Sequence, residues 1–198
     1  NSILSPVGGI AGNVYAANIT DSSVEDTTLS STPGGIGGIA GRLENGSIVA
    51  DSFVDTVTVD GVASSAGGLI GLMDSSTLDD SYAMNVTVEA TSGGNSVGGL
   101  IGSATASSIT DSYVASGSVS GNFSVGGLAG AIGDTNMSNS YSLANVTGTA
   151  DYVGGLIGNF DGTDVTTSLV DNCYAGGTVA GQNYVGGLIG SVMDATIS

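Results

Sequence analysis

The sequence repeats one short motif at nearly constant spacing. Seven copies of Gly-Gly-(Ile/Leu)-(Ile/Ala)-Gly begin at Gly8, Gly37, Gly67, Gly98, Gly126, Gly154 and Gly186. Successive copies lie 29, 30, 31, 28, 28 and 32 residues apart. Such self-similarity is typical of repeat architectures, in which one unit cannot bury its own apolar face and stacked units share a continuous core. The repeats predict that residues 1–198 form a single repeat domain.

Three further landmarks follow each motif. An apolar residue lies seven positions after the last Gly of six copies, at Ile19, Ile48, Leu78, Ile109, Met137 and Ile197; in the sixth copy Leu169 follows after eleven, across a predicted turn insertion at Asp161–Asp164. A polar-aromatic unit comes next, with its aromatic residue at Phe53, Tyr82, Tyr113, Tyr141 and Tyr174. The last landmark is a Val-rich strand that carries Val57, Val86, Val119, Val146 and Val179.

Short Val, Ile and Leu clusters separated by Gly are typical of buried strands, and no helical period is present. Gly at this density would cost a helix about 1 kcal/mol per site. The predicted fold is therefore all-β: a β-solenoid (β-helix-like) of about 30-residue coils, with roughly three short strands per coil and six to seven coils. In the motif, Leu fills the core, and the flanking Gly residues suit positive φ or a corner where backbones approach closely. The aromatic residues are predicted to stack ring on ring.

The repeated core resembles the GLUG-motif repeats of bacterial and archaeal surface proteins. The resemblance spans essentially the whole chain, with Ile in place of Leu after Gly9 and Gly38. It implies an adhesin, a surface-layer or sheath component, or a large secreted protein, and it implies no single activity. The copies that carry it are Gly68-Leu69-Ile70-Gly71, Gly99-Leu100-Ile101-Gly102, Gly127-Leu128-Ala129-Gly130, Gly155-Leu156-Ile157-Gly158 and Gly187-Leu188-Ile189-Gly190.

The charge of the chain excludes several kinds of partner. Arg42 is its only basic residue against 18 acidic ones, which gives a formal net charge of -17. Nucleic acid needs clustered Lys and Arg, so we expect no nucleic-acid partner. No apolar run approaches the roughly 20 residues of a membrane helix, so we expect no membrane insertion.

Six N-glycosylation sequons indicate an extracellular or cell-surface glycoprotein with covalent glycans. Cys173 is the only cysteine, and it occupies the position that Ser holds in the other polar-aromatic units. It is either a small buried residue or the site of an interchain disulfide. The candidate glycosylation sites are Asn18, Asn45, Asn85, Asn122, Asn136 and Asn145.

A column of acidic residues raises the question of a metal site. Asp51, Asp80 and Asp111 are weak candidates for a loosely bound Ca²⁺, which would relieve the repulsion between stacked carboxylates. The equivalent positions become Asn139 and Asn172, and the known calcium-binding solenoid pattern is absent. We therefore favour a ladder of Asx turns and expect no specific metal or cofactor.

No catalytic apparatus is recognisable, and we expect no enzyme. Ser-His and Cys-His arrangements are excluded because the chain has no His. Arg42 stands alone, and the acidic pairs are typical of solvated loops. An outward column of small hydroxyls would suit ice or another lattice, although ordinary strand alternation explains it equally. Its members are Thr58, Thr87, Ser120 and Thr147, ending at Ala180.

The two ends are predicted to be complementary. Thr196, Ile197 and Ser198 stop where a polar-aromatic unit would follow, and Asn1, Ser2 and Ile3 of another copy would supply it nearly in phase. This favours a self-assembling extracellular structural protein that forms a cell-surface filament, sheath or surface layer, with copies of itself as partners in a head-to-tail or lateral homopolymer. The alternative is an adhesin stalk or ligand-binding solenoid region, including an ice- or glycan-binding one, in a larger surface protein.

Overall fold

The computed structural model describes residues 5–31, 34–61, 64–90 and 95–198. In these residues the chain forms only short strands joined by turns and bends, and every paired strand is parallel to its neighbour. Each turn of the chain stacks on the previous one, so that equivalent strands of successive coils hydrogen bond. The predicted β-solenoid of about 30-residue coils is confirmed, with six complete coils and three strands of a seventh.

The strands of the first four coils follow the chain in order. Coil 1 contains β1 (Val7–Gly8), β2 (Ala11–Tyr15), β3 (Asn18–Thr20), β4 (Ser23–Glu25) and β5 (Thr28–Ser31). Coil 2 contains β6 (Gly35–Gly37), β7 (Ala40–Glu44), β8 (Ile48–Ala50), β9 (Phe53–Asp55) and β10 (Thr58–Gly61). Coil 3 contains β11 (Ser65–Gly67), β12 (Ile70–Asp74), β13 (Thr77–Asp79), β14 (Tyr82–Met84) and β15 (Val86–Ala90). Coil 4 contains β16 (Ser96–Gly98), β17 (Ile101–Thr105), β18 (Ser108–Thr110), β19 (Tyr113–Val114) and β20 (Gly117–Gly121).

The remaining coils repeat the same arrangement. Coil 5 contains β21 (Val125–Gly126), β22 (Ala129–Gly133), β23 (Asn136–Ser138), β24 (Tyr141–Ser142) and β25 (Asn145–Gly148). Coil 6 contains β26 (Asp151–Gly154), β27 (Ile157–Asp161), β28 (Leu169–Asp171), β29 (Tyr174–Ala175) and β30 (Val179–Ala180). Coil 7 contains β31 (Asn183–Gly186), β32 (Ile189–Met193) and β33 (Thr196–Ile197).

Five parallel sheets result, which we name A to E in the order of the five strands of a coil. Sheets A, B and C run from β1, β2 and β3 to β31, β32 and β33, with seven strands each. Sheets D and E run from β4 and β5 to β29 and β30, with six strands each. The sequence predicts roughly three strands per coil; single left-handed residues subdivide the extended stretches into five hydrogen-bonded segments.

One of these left-handed positions recurs between sheets C and D. Its residues have φ between 40° and 51°, a conformation that Asp and Asn tolerate because their short polar side chains bond locally. Each backbone N–H there donates to a carbonyl of the next coil, so the bend keeps the coils hydrogen bonded. The residues are Asp21, Asp51, Asp80, Asp111, Asn139 and Asn172.

Strand pairing corrects the predicted apolar column at two places. Val49, not Ile48, pairs with Ile19 and Leu78, because Asn45 and Gly46 lengthen the preceding turn with φ of 60° and 73°. In coil 6 the turn over residues 162–168 is likewise one residue longer than predicted, so Val170 replaces Leu169 in the column. Both Val49 and Val170 are buried, as the column requires.

The predicted Val column combined two columns that are adjacent in the structure. Val59 and Val88 pair in register with Val119 of β20, and that column continues to Val146 and Val179. Val57 and Val86 lie two residues earlier and are also fully buried. The prediction of a shared register was wrong there because alternate residues of a strand look alike in sequence.

The glycine motif lies inside the solenoid, not at an outer corner. Leu69 and Ile70 are both fully buried, and a Cβ added to Gly68 would lie 2.8 Å from Cγ2 of Val86. The same Cβ would clash with the carbonyl oxygen of Gly99 in the next coil. Sheet A therefore runs inward, turns at the centre of the coil and returns as sheet B. The motif glycines allow close backbone approach, and none of them needs a positive φ.

A single apolar core runs along the axis. It extends from Val14 to Val170 and holds most of the Val, Ile and Leu side chains of the inner coils at or near zero exposure. Phe160 is the largest of the fully buried side chains. Because each column contributes one side chain per coil, every interior residue packs between its equivalents above and below.

Gly99→Ala tests the inward turn. The added methyl group meets the Gly127 carbonyl of the next coil and Cγ2 of Val114 at 3.1 Å, so the backbone must shift. We expect a loss of about 1–3 kcal/mol or more in the free energy of unfolding, measured by urea denaturation. The matched control is Gly187→Ala, whose new Cβ has no atom within 4 Å. Equal stability of the two variants would contradict the packing described here.

Candidate functional site

Buried hydroxyl groups form a ladder between sheets C and D. The Oγ atom of Ser112 accepts the backbone N–H of Ser81 at 3.3 Å and donates to the carbonyl of Thr110 at 2.7 Å. The same two bonds recur around Ser52, Ser81 and Ser140, all at most 1% exposed. The hydroxyl thus satisfies a backbone N–H that the left-handed bend turns away from the sheet.

A second hydroxyl ladder lies between sheets B and C, and sequence analysis missed it. Ser107 accepts from the N–H of Ser76 at 3.2 Å, and Thr135 accepts from Ser107 at 3.4 Å. Ser47 accepts from the N–H of Ala17 at 3.1 Å. A signal was present in the sequence, since Ser76, Ser107 and Thr135 each lie five residues after the last Gly of the motif.

Cys173 occupies the first hydroxyl ladder in coil 6. Its Sγ donates to the carbonyl of Asp171 at 3.1 Å, and the side chain packs against the core. Burial, the main cause, raises the pKa of the thiol; the nearby Asp171 charge adds to the rise, and backbone hydrogen bonds from Ser140 and Asp171 oppose it. Of the two predicted roles, this half-buried position against the core fits a small packing residue. The interchain disulfide stays a prediction.

The candidate metal ligands Asp51, Asp80 and Asp111 all lie in the left-handed column between sheets C and D. Their φ values show what this residue type does there: it holds a backbone bend. Between coils 5 and 6 the Nδ2 of Asn172 donates to the Oδ1 of Asn139 at 2.8 Å. Among the described residues no three His, Cys, Asp or Glu side chains converge as a metal site would require. Weak Ca²⁺ binding stays a prediction.

Acidic residues also stack directly on one another between coils 2 and 3. Asp60 pairs with Glu89 across sheet E, and Glu44 pairs with Asp74 across sheet B. Like charges opposite each other on neighbouring strands destabilise a sheet. We therefore expect these pairs to destabilise coils 2 and 3 less as the ionic strength rises.

The aromatic residues form the predicted stack on the outside of sheet D. Successive ring centroids from Phe53 to Tyr174 lie 4.8 to 5.1 Å apart, with interplanar angles of 4° or 5°. Burial raises the pKa of Tyr113 and Tyr141, and neighbouring tyrosines add to the rise. Because each ring covers the face of the next, a ligand meets ring edges and phenol groups along the stack. Sugar rings pack on aromatic faces, and within the described residues only the end rings, Phe53 and Tyr174, have a face on which no other ring of the stack lies.

The predicted hydroxyl column for ice binding was wrong. Thr58 and Thr87 pair in register with Ser118, and that column continues to Asn145. Ser120, Thr147 and Ala180 form a different column, whose earlier members are Asp60 and Glu89. These residues do not form one lattice-matching face, because the column of Thr58 and Thr87 is two positions away from the column of Ser120 along each strand of sheet E.

The sole basic residue is part of a small polar network. Arg42 Nη2 lies 2.9 Å from Glu44 Oε2, and Asn13 Nδ2 donates to Glu44 Oε1 at 3.1 Å. The buried Nε atom of Arg42 has no acceptor among the residues described. A neighbouring cavity of about 40 Å³, lined by Pro6, Gly35, Arg42, Ser64 and Leu72, has room for a few water molecules that would accept this hydrogen.

The candidate glycosylation residues lie on different parts of the surface. Asn18, Asn45, Asn85, Asn136 and Asn145 are exposed, and Asn122 is half-buried. Asn18 and Asn136 belong to sheet C, Asn145 to sheet E, and the other three lie in bends.

The predicted assembly ends are described only in part. Asn1, Ser2 and Ile3 lie outside the described residues. Thr196 and Ile197 form β33 and pair with Leu169 and Val170. Ser198 follows in the position equivalent to Asp171, and its carbonyl accepts the N–H of Asn172 at 3.3 Å.

The described part of the chain contains no helix that is long and apolar enough to cross a membrane. No family model, curated protein or solved structure matches the sequence or its fold.

Ser112→Ala tests the hydroxyl ladder. The variant leaves the N–H of Ser81 buried without an acceptor, and we expect a loss of about 1–3 kcal/mol in the free energy of unfolding. Ser118→Ala, an exposed position in the same coil, is the control and should change stability little. Urea denaturation measures both; equal values would mean that the ladder hydroxyls contribute no more than surface ones.

The position of Cys173 predicts slow thiol chemistry. Because its pKa is raised in the folded state, we expect maleimide labelling between about pH 7 and 9 to be slower than that of the urea-unfolded chain. The folded state holds the thiol proton more tightly, so its stability falls as pH rises from the unfolded pKa to the raised folded one. Labelling at the unfolded rate would show that the thiol points outward.

Proposed function

We propose that this protein is an extracellular structural element whose solenoids stack end to end into a filament, sheath or surface layer. The observation that carries the proposal is the match between the outermost strands. Within the described ranges, β31, β32 and β33 pair on one side only, as do β1, β2 and β3. Unpaired strand edges are templates for pairing with another chain.

The side chains of the two edges continue the same columns. Val185, Val192 and Ile197 are 42–45% exposed, although their equivalents in the inner coils are buried. A second copy stacked in register would place Val7, Val14 and Ile19 upon them, which extends three apolar columns across the joint. The contact repeats the geometry of every internal coil junction. It is heterologous, because it joins two different edges, and its repetition gives an open filament.

The stepped shape of the β31–β33 edge determines how an added copy is oriented about the solenoid axis. Sheets A, B and C are one strand longer than sheets D and E at the β31–β33 edge, so the edge has a step. A copy joined through sheets A to C leaves one strand position open in each of sheets D and E. Asn1, Ser2 and Ile3 of the added copy are the segment predicted to supply the missing polar-aromatic unit in this gap.

Charge and sequons support an exterior location. A net charge of -17 keeps the exterior hydrated and opposes association at low ionic strength, so stacking should need salt. Six sequons and the resemblance to GLUG-motif repeats support the same location. In the alternative, an adhesin stalk, further coils of a longer polypeptide cover the same edges.

Electron microscopy of the purified chain at about 0.15 M salt tests the proposal. We expect filaments whose length grows with concentration. Gly187→Ala should fold as the parent does and fail to polymerise, because its Cβ would meet the second motif glycine of the added copy as a Cβ at Gly155 meets Gly187. Ser118→Ala, an exposed change in the middle coil, is the control and should polymerise. A persistent monomer at all concentrations would favour the adhesin alternative.

A further inference from the structure

We infer that only two of the six sequons are accessible as glycan acceptors in the folded protein, and that both lie on sheet C. The inference rests on the proposed extracellular function. Glycosylation requires an Asn side chain that is free to rotate into the enzyme, and the transferring enzyme also reads the hydroxyl two residues later. Both side chains must therefore reach the surface and be free of hydrogen bonds to the rest of the folded chain.

Three sequons fail because the asparagine side chain is already hydrogen bonded. Asn85 donates through Nδ2 to Asp55 at 2.9 Å and accepts from Ser116 at 3.1 Å. The Oδ1 of Asn145 accepts both the N–H and the hydroxyl of Thr178, at 3.0 and 2.8 Å.

Asn122 is half-buried, and its Oδ1 accepts from the Thr149 hydroxyl at 3.1 Å. The hydroxyl residue of its sequon, Ser124, is itself only 8% exposed. This third sequon is therefore closed at both of the groups that the enzyme must reach.

Asn45 fails because of its partner hydroxyl. Its own side chain is exposed, but Ser47 is fully buried in the second hydroxyl ladder. The Ser47 hydroxyl accepts from Ala17 and donates to the carbonyl of Glu44 at 2.6 Å. Reading this hydroxyl would require the coil to open.

Asn18 and Asn136 meet both conditions. Each is exposed, and neither side chain hydrogen bonds within the described residues. The hydroxyls of Thr20 and Ser138 are equally unengaged and lie on the outer side of the same strands. In both sequons the Asn side chain and the hydroxyl thus lie on the same, outward side of a strand.

The two acceptors also share one column. Asn18 is in register with Ile48, Thr77, Ser108 and then Asn136 along sheet C. Four coils separate them, which is roughly 19 Å at about 4.8 Å per coil. Glycans on both would line one face of the solenoid, and the stacked tyrosines lie on a different sheet.

The chemical step is glycosyl transfer from a lipid-linked oligosaccharide. The Asn Nδ2 forms a bond to C1 of the first sugar while the C1–O bond to the lipid phosphate breaks. The phosphate leaves with the bonding electron pair, and the amide nitrogen gives up one proton. No oxidant or reductant is required.

The test is glycosylation in vitro with a purified oligosaccharyltransferase and its lipid-linked donor, read by mass spectrometry of glycopeptides. One sample is the folded chain and the other is the same chain unfolded in a tolerated amount of urea. We expect modification of the folded chain at Asn18 and Asn136 alone, and of the unfolded chain at further sequons. Asn18→Gln with Asn136→Gln should abolish modification of the folded sample.

Modification of the folded chain at Asn45, Asn85, Asn122 or Asn145 to the extent seen at Asn18 would overturn the inference. So would an unmodified folded chain when the unfolded one reacts. Neither result bears on polymerisation, which electron microscopy measures on the unglycosylated chain. Loss of filaments with correct sequon choice would instead overturn the proposed assembly.

Discussion

The close stacking of backbones at the centre of each coil is the constraint on which the rest of the structure depends. Sheet A turns inward, reverses at the glycine motif and returns as sheet B, and neighbouring coils approach there until no Cβ fits. Only Gly can occupy the contact positions, while Leu and Ile beside them fill the remaining volume of the core. The motif recurs because every coil must pass through the same narrow point. A change in one coil is therefore felt by the coils above and below.

Bends in the coil create a second requirement, because a residue with positive φ turns its neighbour's N–H away from the sheet. Buried Ser and Thr hydroxyls answer it by accepting that N–H and donating to a carbonyl two residues before. The column of Asp and Asn residues and the hydroxyl column beside it are thus one structural device. This explains why residues that resemble metal ligands or reactive groups in the sequence hold bends and satisfy backbone hydrogen bonds in the fold. Cys173 fits the same column because a thiol can make the same two contacts, more weakly.

The outer surface divides into regions with different chemistry. Sheet D carries the stacked aromatic rings, sheet C carries two accessible sequons, and coils 2 and 3 carry stacked carboxylates. Strand edges at the two ends continue the interior columns. The proposed structural role would use all of these at once: the edges for growth, glycans and carboxylates for hydration, and the ladders for stiffness. No part of this role needs a reactive group.

Much of the fold was predictable from sequence, because the repeat period, the glycine motif and the aromatic column are visible as spacing. The Tyr stack and the coil length follow from spacing alone. What spacing could not determine is register within a strand: Ile48 and Val49 are both apolar neighbours, and only pairing shows that Val49 faces the core. The same uncertainty placed Thr58 and Ser120 in one column when they belong to two.

The sequence by itself therefore determined that the chain is a β-solenoid and how often it coils. Only the tertiary structure decided that the glycines lie at the centre and which sequons are open. The physical reason is that both depend on backbone approach and hydrogen bonding between coils, contacts about thirty residues apart in the chain that no local pattern encodes.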